Sequence, residues 1–517
     1  MARAALEEVE KLQGELPPGK RHLNWWVLLI IFAAIGLFGF AIYLQQNWPF
    51  AEANVVKQLS TSTSSTVHIA TFKQVFFPHP GCIAQGVTFE RGGDNDRTTM
   101  TVQQLTIESS IAGLLAKHLA IVRLDGAKIM FPEFGTSPSW KPTNSEIVID
   151  ELTASNAVLE FARRDPKQPK VTFAVHQFVG QHLASHNAMS FEVRLKNPTP
   201  AGEIIVNGSF GPWNMERLSA TPVSGKYAFR DANLGVFHGI RGILTSDGQF
   251  NGTLETIAVN GDTTTPAFAV DGNAHELPLD TMFKASVDPA NGDVALERVQ
   301  ARLLRTIVVT RGTIAAKTGK PGKTAALEMT VRNGRIQDLL LPFISEKKSP
   351  LNGTINLKAK TTVPSGNVPF LKKLHLVGDF GIESALFTKE ETQRDLDKLS
   401  AAARGQADQS ENPEDVVSDL QGHVVVNDGI ATFSDLRFRV PGGRARLEGT
   451  FNLLNQKVEL RGLLFMDAKL PEATSGIKSF LLKAIDPFLK KNRHGGARIP
   501  VSITGTYYHP SYKADPI

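Results

Sequence analysis

One cysteine, Cys82, in 517 residues leaves no partner for an internal disulfide, so an oxidising compartment is permitted without being required. Net charge is scarce as well: 56 basic residues stand against 51 acidic ones, a surplus of +5, and no dense Lys/Arg stripe interleaves with aromatics. That excludes nucleic acid as an expected partner. Catalytic signatures are missing too, because polar residues are scattered and no nucleophile has an evident base. The chain is therefore expected not to be an enzyme and to carry no cofactor. With 42 % hydrophobic and 21 % charged residues, most of the length is expected to fold, and length alone allows two or three domains.

Several near-misses sharpen that exclusion. "KTGKPGKT" (317–324) resembles a phosphate-binding loop, but Lys317 stands where its first glycine belongs, and the following "AALEMTV" reads as a strand rather than a helix start. "NGSFG" (207–211) misses a nucleophile elbow because Asn207 replaces its first glycine. His176, His182 and His186 include a pair four apart, a spacing that holds a metal on a helix. No Glu or Cys completes the set, and the context alternates like a strand, so no metal is expected. "HEL" (275–277) lacks the second histidine of a zinc-protease helix.

What is present begins with "WWVLLIIFAAIGLFGFAIYL", residues 25–44, free of charge and proline. As a helix it covers about 30 Å, enough to cross a bilayer. Trp25 and Trp26 at one end, and Tyr43 and Trp48 at the other, resemble interfacial belts. Lys11, Lys20 and Arg21 precede the run and Lys57 is the first base after it, which makes residues 1–24 a cytoplasmic tail. Ala51-Glu52-Ala53 has the form of a cleavage site, but the apolar run is longer than a signal peptide's and ends well before it. The expectation is an uncleaved inner-membrane anchor, single-pass, with a linker over 45–66 and the bulk of the chain periplasmic if the host has a double envelope. "TSTSST" (61–66) reads as a flexible tether.

Beyond the linker, short alternating runs dominate. Asp247-Gly248, Asn260-Gly261, Asp271-Gly272, Asn291-Gly292 and Asp428-Gly429 read as hairpin signals. A Gly-Ser/Thr-apolar element recurs at Gly208, Gly252, Gly312, Gly353, Gly449 and Gly505 at irregular spacing, which suggests bends or bulges in one long sheet rather than a fixed-period solenoid. In the clearest strands, Ala445, Leu447, Phe451 and Leu453 share one face, as do Val458, Leu460, Leu464 and Met466. These eight are the candidates for an apolar, lipid-facing surface.

Two stretches break the β pattern. Residues 388–421 hold nine acids against four bases between Lys389 and Asp419, with helix formers in the first half; they read as a surface helix followed by a mobile acidic insertion. Residues 475–491 are basic and amphipathic. Ile477, Leu481, Ile485 and Phe488 keep helical spacing, with Lys483, Lys490 and Lys491 among them. Such a helix either plugs the end of the sheet or touches an anionic membrane surface.

The order of segments resembles a known family. A single N-terminal membrane helix precedes "FFPHPGCIAQGVTFERGG" and "TVQQLTIESSIAGLLAKHLAIVRLDGAKIMFP"; then come "GEIIVNGSFGPWN", a long run from "PVSGKYAFRDANLG", and a closing "IPVSITGTYYHPSY". In this order they are similar to the AsmA-like bacterial envelope proteins. The resemblance implies a mainly β fold: one transmembrane helix, then a long curved, groove-like antiparallel sheet with a few short helices, split here as 67–387 and 422–517 around the insertion. It implies phospholipid transport between membranes and outer-membrane homeostasis. The expected partners are phospholipids, the inner membrane, and outer-membrane or other envelope proteins. "PHPGC" then reads as a Pro-Gly turn, with Gly81 supplying the bend and Cys82 a small apolar residue in packing.

A physical argument stands beside the resemblance. A sheet with one apolar face must cover it, and this chain has few helices for that purpose. With ~20–25 strands at ~4.8 Å, a trough for acyl chains would run about 100–120 Å. The competing reading is a non-enzymatic scaffold or assembly factor for outer-membrane proteins that pairs strands at its sheet edges, its inner face filled by its own side chains.

Overall fold

A computed structural model describes residues 48–91, 98–131, 147–161, 170–184, 186–271, 275–289, 292–317, 322–404, 416–467, 498–507 and 509–514. Two compact units divide the chain, residues 1–59 and 60–517. The anchor expected over 25–44 and the amphipathic helix expected over 475–491 lie outside the described residues. Among the described residues no helix is long and apolar enough to cross a membrane.

Where a flexible linker is expected, the chain forms a helix, α1 (Glu52–Thr63). Its sequence has no Gly or Pro to interrupt it, and Asn54 Nδ2 donates to Trp48 O at 2.9 Å. The helix stops where Ser64 turns into the left-handed region at φ 49°.

Residues 60–517 form a sheet of twenty-six strands among the described residues. It opens with β1 (Thr66–His68), β2 (Thr71–Val75), β3 (Gly81–Arg91), β4 (Thr98–Glu108), β5 (His118–Asp125), β6 (Lys128–Phe131) and β7 (Val148–Phe161). It continues through β8 (Val171–Leu183), β9 (Met189–Pro198), β10 (Ala201–Phe210), β11 (Pro222–Asn233), β12 (Ile240–Arg241), β13 (Ile243–Thr253), β14 (Ile257–Val270), β15 (Leu277–Val287), β16 (Val294–Leu303), β17 (Thr306–Ala316) and β18 (Lys323–Arg335). It closes with β19 (Leu351–Val363), β20 (His375–Phe387), β21 (Ser418–Asn427), β22 (Ile430–Val440), β23 (Gly443–Asn452), β24 (Lys457–Met466), β25 (Arg498–Thr506) and β26 (His509–Ala514). Short helices sit between strands: α2 (Ile111–Leu115), α3 (Ile336–Leu340), α4 (Phe370–Lys373) and the longer α5 (Glu390–Ala403).

Neighbours in sequence are neighbours in the sheet, and pairing is antiparallel with one exception. Both β5 and β6 run parallel to β7, so the sheet is mixed rather than wholly antiparallel. Three rows hold two strands each: β1 and β2 both pair with β3, β5 and β6 share a row between β4 and β7, and β12 and β13 share one beside β14. The strands therefore fill twenty-three rows, about 105 Å measured along the hydrogen-bonding direction.

The recurring Gly-Ser/Thr element has a backbone cause. Five of its six glycines have φ between 102° and 155°, and Gly208 alone does not. At Gly449 an added Cβ would lie 2.0 Å from Glu459 O, and at Gly312 2.1 Å from Ala326 O. Only a residue without Cβ lets the neighbouring strand approach that closely. Register shifts accompany two of these sites, opposite Gly312 and Gly449, and a third falls at Gly353 itself, between Asn352 and Thr354. Such bulges add twist and bend.

The hairpin expectations divide by mechanism. Asp428 (φ 48°) and Gly429 (φ 74°) turn between β21 and β22, as the dipeptide predicts. Asp247-Gly248 and Asn260-Gly261 instead pair with each other in mid-strand, Gly248 opposite Gly261. Their glycines serve space rather than φ. A Cβ at Gly248 would sit 2.6 Å from Tyr227 Cε1, and one at Gly261 2.7 Å from Tyr227 Oη. The Tyr227 ring lies over both. Gly208 under Phe191 and Gly225 under Phe250 repeat the arrangement at 2.9 Å and 2.8 Å.

The "PHPGC" segment also divides. The connection from β2 to β3 spans 76–80, but Gly81 is already in the ladder opposite Glu108. Its Cβ would meet Ile107 O at 2.0 Å, so strand proximity, not a bend, requires glycine there. Cys82 is fully buried beside it.

Candidate functional site

Alternation along each strand, joined through the register, sorts the side chains into two faces. One row crosses nearly the whole sheet. It starts Ala84–Leu105–Leu124–Ala154–Phe178–Val193 and continues Val206–Tyr227–Gly248–Gly261–Phe283–Val299. It then runs Thr310–Met329–Ala359–Gly378–Val424 and ends Phe433–Gly449–Leu460–Ile503. From β9 to β25 the paired positions on this face carry no Asp, Glu or Arg and one Lys, Lys323 at the very start of β18.

The charges lie on the other face, in cross-strand pairs such as Arg311–Glu328 at 2.6 Å and Arg461–Glu448 at 3.3 Å. Arg311 holds the exposed Glu328 carboxyl below its ordinary range. A concavity on this polar side is lined by Arg298, Arg311, Glu328, Lys358, Lys360 and Asp379, among others.

Burial along the apolar face is uneven. At the start, Cys82 and Ala84 are fully buried and Leu105 nearly so. Burial pushes the Cys82 thiol up to about 12, outweighing a backbone hydrogen bond with Ile107. In the centre, Phe191, Val193, Val206, Phe250, Phe283 and Val299 are only half-buried. Tyr227, the one phenol in the row, lies 3.1 Å from Ser246 Oγ, and burial raises its pKa.

Toward the C-terminus the face closes again. Val331, Ile336, Leu351, Ile355, Ile382 and Ala385 form one cluster, capped by α3. Ala403 of α5 joins Leu436, Ala445, Leu447, Leu464, Met466 and Ile499 in another. The face also curls. Tyr507 Oη donates to Pro350 O at 2.9 Å, although β19 and β25 stand six rows apart, about 29 Å if flat. Likewise Lys373 Nζ donates to Phe237 O at 3.1 Å, and Phe370 N would lie 2.3 Å from a Cβ on Gly239. In a meander successive connections alternate between margins, so both contacts join opposite margins of the sheet. The second is partly dry, since burial lowers the Lys373 pKa.

Seven of the eight residues chosen from sequence fall on the apolar face, and Leu453, in the turn after β23, packs against it; all lie in its closed part. Ala445, Leu447, Leu464 and Met466 are 4–8 % exposed within one cluster, and Leu460 packs against it. Val458 is buried, and Phe451 and Leu453 pack on Val424, Val426 and Ala431. The chain's own side chains fill this end, so it forms a core rather than an open trough. The half-buried central residues carry the accessible apolar surface. Their signal was muted because glycines and threonines interrupt the hydrophobic alternation there.

The expected acidic insertion also changes character. Gln393, Asp397 and Ser400 of α5 are buried, with Asp397 Oδ1 accepting from Val416 N and Gln393 Nε2 at 2.9 Å each. The helix is thus half interior, β21 begins at Ser418 inside the predicted segment, and residues 405–415 lie outside the described residues. His176 and His182 sit on extended β8, about 20 Å apart along the strand. The membrane-surface candidates Ile477, Leu481, Lys483, Ile485, Phe488, Lys490 and Lys491 lie outside the described residues. Compared with protein-family models, with curated proteins and with solved structures, the chain finds no match.

Proposed function

We propose that this protein is a membrane-anchored carrier of phospholipid acyl chains, of the AsmA-like kind, working in the bacterial periplasm between inner and outer membranes. The observation that carries the reading is the charge-free apolar row, half-buried through β9–β17, while the cross-strand ion pairs Arg230–Asp247 and Arg311–Glu328 lie on the opposite face. Six apolar side chains wetted in series are costly to expose. Acyl chains are a cover that fits a strip about 40 Å long. No covalent step is involved, and the role of the chain is to shield hydrocarbon from water.

The scaffold reading draws on the closed C-terminal clusters, which are filled by side chains as that reading requires. Its C-terminal edge is poorly suited to strand addition, however, because β26 is six residues long and carries Pro510 and Lys513.

Residues 60–517, a compact unit, exported and purified without added lipid, provide the test. Extraction and mass spectrometry should recover several phospholipids per chain. Phe283→Lys with Met329→Lys, on the central row, should strip most of them, whereas Met282→Lys on the opposite face should not. Folded wild-type protein that is empty of lipid would sink the carrier reading in favour of the scaffold.

A further inference from the structure

The two most exposed large apolar side chains among the described residues, Phe77 (87 %) and Ile111 (76 %), lie on one margin of the sheet, with Phe76 (55 %) beside them. Phe76 and Phe77 stand in the connection from β2 to β3, and Ile111 opens α2 just after β4. Ser109 N donates to Pro80 O at 2.9 Å, which ties the two connections together. Aromatic and branched side chains held in water by a braced loop mark an interaction surface rather than a packing accident.

The surrounding charge indicates what kind of surface it meets. Lys73 and Lys117 are exposed nearby; Glu108 pairs with Arg123 at 2.6 Å, and Asp150 lies 3.2 Å from His118 Nδ1. An apolar tip edged by cations complements phospholipid headgroups above hydrocarbon. Directly inboard of the tip runs the first rung of the apolar face, Cys82–Ile107–Val122.

We propose that Phe76, Phe77 and Ile111 form a membrane-docking tip that inserts at the surface of a phospholipid bilayer and sets the beginning of the apolar face against it. The docking stands on these residues alone; its use as a loading mouth rests on the carrier reading above.

The full chain tests it. In a Cys82→Ala background, single cysteines are introduced as Phe77→Cys, Ile111→Cys or, for control, Met282→Cys on the outer face of β15. Each is labelled with a polarity-sensitive fluorophore. The protein is reconstituted into vesicles of phosphatidylethanolamine and phosphatidylglycerol containing a lipid with a nitroxide quencher near the headgroup. Labels at 77 and 111 should be quenched several-fold more than the label at 282. Equal quenching at all three sites overturns the proposal. So does protection of 77 and 111 from a water-soluble quencher without lipid quenching, which would mean that a second copy or residues 25–44 cover the tip.

Phe77→Ser with Ile111→Ser, both at exposed positions, should slow uptake of fluorescent phospholipid from vesicles roughly tenfold while leaving lipid retained through purification unchanged. Unaltered uptake removes the loading role. Lipid quenching at the tip of a protein that carries no lipid at all would uphold the docking and defeat only the carrier reading.

Discussion

The central strands β9–β17 and the C-terminal strands β20–β25 follow one pattern and reach different states. Both set an apolar face against a charged one, and both contain a glycine at φ near 150°, Gly312 in the centre and Gly449 near the end. Near the end, α5 and the curled margin cover the face, and Leu464 and Met466 are 4 % and 5 % exposed. In the centre, Leu296 and Phe283 stay half-buried. The difference is one of cover rather than composition. An alternating sheet supplies apolar area, and what lies over that area decides whether it is a core or a binding surface.

The largest effect that would break this comparison comes from deleting the same side chain in both regions. Leu464→Ala should cost about 3 kcal/mol, the sum of lost transfer energy and a cavity that a closed cluster cannot collapse. Leu296→Ala should cost about 1 kcal/mol, because its partly wetted side chain leaves little cavity behind. Hydrogen exchange of β24 and β16 under mild denaturant reads the two separately. Equal losses would mean that the centre is already as well covered as the end.

Next in size come the glycines. Gly312→Ala and Gly449→Ala should each cost about 2–3 kcal/mol, since an added methyl meets a carbonyl oxygen on the next strand in both cases. The cause is backbone proximity, common to the two regions, so these losses should match where the leucine losses diverge. A tolerated Gly312→Ala would show that the central strands can slide apart.

Period-two alternation made the β class and one apolar face of the C-terminal strands legible in sequence, and the Gly-Ser/Thr repeats marked five of the strained glycines. What was not legible has physical reasons. Asp247-Gly248 and Asn260-Gly261 look like turns because a hairpin and an aromatic-covered strand glycine use the same dipeptide. Only the position of Tyr227, in another strand, separates them. The eight apolar residues chosen near the C-terminus gave the strongest alternation because they form a core, and a core tolerates fewer interruptions than a surface meant to be covered by something else. The helix at Glu52–Thr63 was hidden by its own Ser/Thr-rich end. The parallel pairing of β5 and β6 with β7 depends on which side the chain returns to, and local patterning carries no trace of that.

The smallest perturbation compares two thiols in one chain and leaves the fold intact. Cys82 is fully buried with its thiol pushed up from 9.0 to about 12, whereas Val299→Cys places a second thiol on the half-buried central face. At pH 8 the thiolate fraction of the first is roughly a thousandfold below that of an ordinary cysteine. A maleimide should therefore label residue 299 quickly and leave Cys82 intact until the protein unfolds. The pH dependence has a definite sign. Above about pH 9 the unfolded chain loses the thiol proton while the folded chain keeps it. Stability present below pH 9 should accordingly drain away as pH climbs toward 12, and Cys82→Ala should abolish that part of the loss. Phospholipid bound to the wild-type face should slow labelling at 299 without touching Cys82. If instead both thiols react slowly in lipid-free protein, the centre is closed and the contrast between the two regions fails.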